Sequence, residues 1–191
     1  MNEHALDEQL VLAQTRAWLE QAVIGLNLCP FAKAVHTKGR IRWVLSAARD
    51  SNTLLAQLHD ELLLLAAAPI DAIETTLLIH PQVLADFLDY NDFIGEAETA
   101  LERAGLDGVL QIASFHPHYV FAGTTADDVG NATNRSPWQL LHLLREESID
   151  RAVAAYPDPE AIVGRNLATM ADLGPAGWQR LLSAFAAAGK T

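Results

Sequence analysis

The chain has 191 residues, of which half are hydrophobic and 19% are charged, so it can bury a sizeable core and disorder is not expected. Its formal net charge is -11, from 24 acidic and 13 basic residues, and such a field repels a nucleic-acid backbone. A single cysteine excludes an intramolecular disulfide and any metal site built from several cysteines.

No segment has the pattern of a membrane or export signal. The first ten residues carry acids and lack a basic region followed by an apolar stretch, so a signal peptide is not expected. The most apolar run, residues 62–70, is half the length that spans a bilayer and contains Pro69. We therefore expect a cytoplasmic protein without a membrane or nucleic-acid partner; its oligomeric state cannot be read from the sequence.

Helices and strands are predicted to alternate through the first part of the chain. Apolar residues at helical spacing predict helices over residues 5–25, 52–68 and 82–104, with Pro69 and Gly105 as stop signals. Runs rich in β-branched and apolar residues predict strands over residues 40–47, 74–80 and 108–115, and a short extra strand over 119–122.

Strands joined by helices of this length favour parallel crossovers. The expected fold class is therefore α/β, with a small parallel or mixed sheet of three to four strands covered by helices. Residues 123–134 are polar and aperiodic. After them Ser136, Pro137 and Gln139 form a capping pattern that predicts a helix start, and further helices are expected from Asp158-Pro159 and over residues 176–188. This gives one domain, residues 1–191, with a helical C-terminal part.

Two of the predicted strands end in His-Pro, at His80 and at His116. The carboxyl ends of parallel strands meet at one edge of a sheet, which is where clefts form in such folds. Both imidazoles are candidates for acid-base catalysis, and His118, two residues beyond His116, could complete a divalent metal site with them. The alternative is that the two rings only cap strand ends. Asn91 on the third helix either reaches into this site as a catalytic group or ties down a loop.

A second candidate site lies at the predicted helix start. Asn134, Arg135 and Ser136 place an amide, a guanidinium and free backbone N–H groups where a small anionic molecule could bind. Along that helix His142 and Arg145 would share one face with Glu146. The alternative is an ordinary capped helix with a solvated side.

Cys29 precedes Pro30 in a predicted turn. It could act as a nucleophile, or supply a thiolate to haem iron, as Cys-Pro pairs can. Its apolar neighbours, Leu28 and Phe31, favour an inert packed thiol instead.

Several segments together resemble one bacterial family, the domain of unknown function 1415. They are GLNLCPFA from Gly25, TLLIHP from Thr76, DYNDF from Asp89, QIASFHP from Gln111, FAGT from Phe121, NRSPW from Asn134 and LHLLRE from Leu141. The resemblance covers nearly the whole chain, with mild departures at Tyr90 and Trp138, where the family usually has Phe and Tyr. It implies neither a reaction nor a cofactor.

Three functions remain open from the sequence. The first is a small-molecule enzyme that carries out acid-base or metal-assisted hydrolysis or elimination on an anionic substrate, with His80 and His116 at its centre. The second is a protein that binds haem or another cofactor through Cys29. The third is a non-catalytic interaction module whose polar motifs only fix loops.

Overall fold

The computed structural model of the protein describes residues 7–156, 158 and 160–190. The start of the first predicted helix and Pro159 lie outside the described residues. The helices are α1 (Glu8–Trp18), which continues as a π-helix (Leu19–Ile24), then α2 (Ala32–Thr37), α3 (Ser51–Ala67), α4 (Phe87–Arg103), α5 (Glu146–Ala154) and α6 (Ala161–Ala187). The strands are β1 (Ile41–Leu45), β2 (Thr75–Ile79), β3 (Leu110–Phe115) and β4 (Leu140–Arg145).

The four strands form one mixed sheet in the order β1-β2-β4-β3. Strands β1 and β2 are parallel, whereas β4 is antiparallel to both of its neighbours, β2 and β3. Strands β1, β2 and β3 therefore share one direction, and a strand of the opposite direction is inserted between two of them. The predicted α/β class with a small mixed sheet is confirmed.

Alternating side chains send each strand's residues to two different cores. Leu78, Leu141 and Leu143 pack against α3 and α4 on one face of the sheet. Leu77 and Leu140 on the other face join the core built from α1, the π-helix and α6. Burial on both faces explains why β2 is a continuous apolar run rather than an alternating one.

The predicted helix start at Ser136 is wrong. Residues 136–139 lead into strand β4, and the Ser136 hydroxyl donates to the carbonyl oxygen of Trp138 instead of capping a helix. Leucine-rich residues 140–144 have high helix propensity, but pairing with two neighbouring strands overrides it. The extra strand expected over residues 119–122 is absent too, since that segment has no ladder pairing.

The C-terminal part is helical, as expected, with a break that residue type explains. Gly174 has a φ of 64°, a conformation that favours glycine, and Pro175 follows it. The two predicted C-terminal helices are thus the two arms of the kinked helix α6. Asp158 contributes a carboxylate that accepts from the Ala161 N–H at 3.3 Å near the start of this helix.

Tyr90 ties helix α4 to the end of the sheet. Its fully buried hydroxyl donates to the carbonyl oxygen of Leu140 at 2.9 Å and accepts from the Phe115 N–H at 3.0 Å. Leu140 and Phe115 are paired residues at the ends of β4 and β3, so one side chain joins α4 to both strands.

Substituting Tyr90→Phe should lower the free energy of unfolding by about 1–3 kcal/mol, because a buried N–H and a buried carbonyl each lose their partner. Urea unfolding followed by circular dichroism measures this. Tyr156→Phe is the matched control, since among the described residues the Tyr156 hydroxyl accepts from the exposed Arg165 alone. Equal losses in the two variants would contradict the proposed role of the Tyr90 hydroxyl.

Candidate functional site

The two histidines of the His-Pro pairs lie at the same edge of the sheet, as predicted. His80 directly follows β2 and His116 directly follows β3, with the start of β4 between them. Both side chains are fully buried, and both rings pack on Tyr90, with centroid distances of 5.8 Å for His80 and 5.0 Å for His116. The sequence therefore placed the pair correctly, but it did not reveal that both rings pack on Tyr90.

The rings of His80 and His116 both hydrogen-bond to the loop between β2 and α4. His80 Nδ1 lies 3.2 Å from the carbonyl oxygen of Val83, and His116 Nε2 lies 3.2 Å from that of Leu84. Because a carbonyl only accepts, each of these nitrogens carries the proton. Leu84 has a φ of 59°, a strained conformation for a leucine. The rings thus hold two consecutive carbonyls of a strained loop between β2 and α4, which is a positioning role.

The expected metal site of His80, His116 and His118 finds no support in this geometry. His116 Nδ1 accepts from the His118 N–H at 3.0 Å, so both nitrogens of His116 are occupied, and His118 itself is exposed. Within residues 7–156, 158 and 160–190, no group of three or more histidine, cysteine, aspartate or glutamate side chains could hold a metal ion.

Burial sets the protonation state of the pair. Desolvation lowers the pKa of His80 to about 4, opposed by the bond to Val83, and the neighbouring His116 lowers it further. Burial also lowers the pKa of His116. Both rings are therefore neutral at neutral pH, and His80 Nε2 is left as a buried acceptor without a hydrogen-bond partner among the described residues.

Asn91, expected either to reach the site or to tie down a loop, does not face the core. Asn91 is exposed on the outer side of α4, whereas its neighbour Tyr90 is the buried residue. The buried stripe of α4 consists of Tyr90, Phe93, Ala97 and Leu101, and Asn91 falls just outside it.

Asn134, Arg135 and Ser136 lie together but use their polar atoms internally. Asn134 donates its amide to the carbonyl oxygen of Ser114, and the Arg135 guanidinium donates to the carbonyl oxygens of Tyr119 and Ala126. No helix begins at Ser136, so the dipole and unpaired N–H groups expected to attract an anion are not there. These side chains organise residues 116–135.

His142 and Arg145 do not share a face, because they belong to a strand rather than a helix. Arg145 points to the α3 side, where its guanidinium donates to the carbonyl oxygens of Leu65, Ala68 and Ile73. It thereby satisfies carbonyls at and beyond the C-terminal end of α3. His142 instead lies on the opposite face of the sheet, next to a cavity.

This cavity has a volume of about 610 Å³ and sits between the sheet and three helical segments. All four strands contribute to its floor, including Ile41, Leu77, Ala113 and Leu144. The π-helix, α2 and α5 cover it with mostly apolar side chains. Its volume falls within the range typical of small-molecule sites, roughly 300–1,000 Å³.

Few polar groups face the cavity, and two of them form a defined pair. His142 Nε2 lies 2.6 Å from the Thr75 hydroxyl, which in turn donates to the carbonyl oxygen of Leu143 at 2.6 Å. Desolvation lowers the pKa of His142 to about 4. On the α5 side, the Ser148 hydroxyl is buried and has no hydrogen-bond partner among the described residues.

Charge in the cavity lining is opposite in sign to that of the chain. The lining includes Lys38, Arg40 and Arg151, and Glu74 is its one acidic residue; Arg145 also borders it, but its guanidinium is bonded on the α3 side. Apart from Arg145, three of the chain's 13 basic residues thus line the cavity with one of its 24 acidic residues. Such an arrangement favours an anionic group near the basic end of the cavity.

The π-helix is a further unusual feature beside the cavity. Leu19 and Val23 of this segment belong to the lining. π-Helical turns are rare and are frequent at functional sites, which agrees with the position of the cavity. No signal in the sequence marked this segment, which is apolar on the face that a regular helix would also bury.

Cys29 also lines this cavity. The sequence marked Cys29 as a candidate but gave no sign of a cavity beside it. Burial raises the pKa of the Cys29 thiol, an effect that hydrogen bonds from the Phe31 and Ala32 backbone partly offset. A raised pKa disfavours the thiolate that a nucleophile or an iron ligand requires.

One comparison with known proteins assigns a family. A family model described as protein of unknown function (DUF1415) matches residues 10–180. No curated protein and no solved structure shows significant similarity to the chain. Among the described helices, none is long and apolar enough to cross a membrane.

The free energy of unfolding should fall as pH is lowered, because the buried His80 is harder to protonate in the folded protein than in the unfolded chain. The pKa of His80 is about 4 in the folded protein and about 6.5 in an unfolded chain, so the unfolded state binds the proton first as pH falls. Stability should be constant above about pH 7 and should decline towards pH 4, with His80 contributing at most about 3 kcal/mol. In His80→Gln this part of the slope should vanish. A stability difference between wild type and variant that does not change with pH would contradict it.

Proposed function

Since the chain belongs to the family of proteins of unknown function DUF1415, whose description carries no activity, we propose a function from the cavity itself. The protein binds a small, mainly apolar organic anion between the sheet and the cover formed by the π-helix, α2 and α5. The observation that carries this proposal is the apolar cavity of about 610 Å³ with basic side chains in its lining.

The apolar part of the ligand is supported by the composition of the lining. Side chains such as Trp18, Leu77, Phe115 and Ile149 surround most of the volume. Burial of apolar surface contributes roughly 25 cal/mol per Å², so a ligand of one or two rings gains affinity from these contacts alone. Polar metabolites such as sugars would leave many of their groups without partners there.

The anionic part is supported by charge. Arg40 bonds to Asp71 and lies near Glu74, so its charge is partly neutralised, whereas Lys38 is exposed at the end of α2. Arg151 is exposed on α5 and pairs with Glu147. Exposed pairs of this kind exchange partners easily, because each contributes little to stability. A carboxylate at this end of the cavity would therefore meet available cations.

The cover suits entry of a ligand. Helices α2 and α5 contain no fully buried residue, in contrast to α3 and α4. The ring of Phe31, before α2, meets that of Tyr156, after α5, edge to face at a centroid distance of 5.8 Å. Elements with little burial open at low free-energy cost. Separation of α2 and α5 at the Phe31–Tyr156 contact would therefore let a ligand enter the cavity.

Catalysis and haem binding are not part of this proposal. An imidazole with a pKa of about 4, such as His142, is a weak base at neutral pH and suits hydrogen bonding better than proton abstraction. His80 and His116 are buried against Tyr90 and hold a loop, and burial of Cys29 disfavours its thiolate.

Calorimetric titration with three naphthalene derivatives of similar size tests the proposal. We expect 2-naphthoate to bind more tightly than neutral 2-acetylnaphthalene, and cationic 2-naphthylmethylamine to bind most weakly. Ala113→Phe fills the floor of the cavity and should weaken 2-naphthoate binding at least tenfold, since the added ring occupies the ligand's volume. Ala171→Phe, at an exposed position of α6, is the matched control and should bind as wild type does.

A second pair of variants tests the charge. Lys38→Gln should weaken 2-naphthoate binding about two- to fourfold at low salt, with a smaller effect at high salt. Lys33→Gln lies on the same helix but outside the lining, so it should change nothing. If none of the three naphthalenes binds, or if Ala113→Phe binds them as wild type does, the cavity is not the ligand site.

A further inference from the structure

We propose that the ligand carries a hydroxyl or N–H group and donates it to Nδ1 of His142, so that the cavity selects a hydroxylated or amino-substituted organic anion. The inference rests on the proposed function, because it concerns the ligand of the same cavity. It adds the requirement that the ligand donate a hydrogen bond at one position, which the size, apolar lining and charge of the cavity do not impose.

The location of the ring proton follows from the Thr75 hydroxyl. That hydroxyl has one hydrogen and two neighbours at 2.6 Å, the carbonyl oxygen of Leu143 and Nε2 of His142. A carbonyl can only accept, so the hydroxyl hydrogen is directed to Leu143. Nε2 must then be the donor to Thr75, and the remaining nitrogen, Nδ1, is an acceptor with a free lone pair.

Nδ1 is the group that a ligand can reach. It has no hydrogen-bond partner among the described residues, and it does not belong to their fully buried unpartnered atoms, so it keeps accessible surface. His142 borders the cavity from the middle of β4, between Leu77 and Ala113 in the neighbouring strands. An acceptor in such an apolar setting favours a ligand that donates over one of equal shape that does not.

The ring remains an acceptor across the physiological pH range. Desolvation lowers the pKa of His142 to about 4, and a neutral imidazole with its proton on Nε2 has a lone pair on Nδ1. The anionic end of the ligand cannot be the group that meets this nitrogen, since a carboxylate and a lone pair repel each other. The donor must therefore be a second polar group of the ligand.

Spacing fits a ligand of two fused rings. Arg40 comes one residue before Ile41, which pairs with Thr75, and Thr75 pairs with Leu144. The start of β1, at the basic end of the lining, is therefore about three residues from His142 along the strand direction, roughly 10 Å at the rise of a strand. This separation is similar to the length of a naphthalene with substituents at opposite ends. A donor and a carboxylate on such a molecule could reach His142 and the basic side chains together.

Paired titrations test the inference with 2-naphthoate and 6-hydroxy-2-naphthoate, which differ by one hydroxyl. Wild type should bind the hydroxylated probe about five- to tenfold more tightly, the effect of one buried hydrogen bond. His142→Phe keeps the ring volume and leaves Thr75 bonded to Leu143, so it should still bind 2-naphthoate and lose the preference. The ¹⁵N spectrum of the His142 ring should show a proton on Nε2 in the free protein.

Two variants of Thr75 separate positioning from packing. Thr75→Ser keeps the hydroxyl and should retain the preference, whereas Thr75→Val removes the acceptor that holds the proton on Nε2 and should reduce it. Equal affinity of wild type for both probes, or an unchanged preference in His142→Phe, overturns the inference while the proposed function stands. Failure of both probes to bind overturns the proposed function and this inference with it.

Discussion

Strand β4 determines the arrangement of the rest of the molecule. It runs antiparallel between β2 and β3 and pairs with both along its whole length, from Leu140 to Arg145. This position places the ends of β2 and β3 at one edge of the sheet with a single strand between them. It also sends His142 to one face and Arg145 to the other, because neighbouring residues of a strand alternate.

The edge of the sheet is therefore a rigid structural element rather than an open cleft. Tyr90 bonds to the backbone of β3 and β4, and the rings of His80 and His116 pack on it. The same rings hold the carbonyls of Val83 and Leu84, which fixes the strained loop that begins α4. Polar atoms that could have served a substrate are used to position backbone.

The cavity lies away from that edge, on the face of the sheet that α2 and α5 cover loosely. Four strands and three helical segments line it, and its polar groups come from residues far apart in the chain, such as Thr75, His142 and Ser148. The sequence made His142 a candidate because it was expected to lie on a helix, whereas it lies on strand β4. Its actual partner, Thr75, precedes it by 67 residues and is defined only by strand pairing.

Residue patterns along the chain were enough to predict the α/β class, three of the four strands, the helical C-terminal part and the position of His80 and His116 at one edge of the sheet. These features depend on local periodicity, stop signals such as Pro69 and Gly105, and the common direction of strands joined by helices. That residues 140–145 form a strand depends on long-range pairing, since a short leucine-rich run is compatible with a buried helix and with a central strand. Pairing with β2 and β3 then settled which face of the sheet each of these side chains takes, so that Arg145 meets the backbone at the C-terminal end of α3 and His142 meets the cavity.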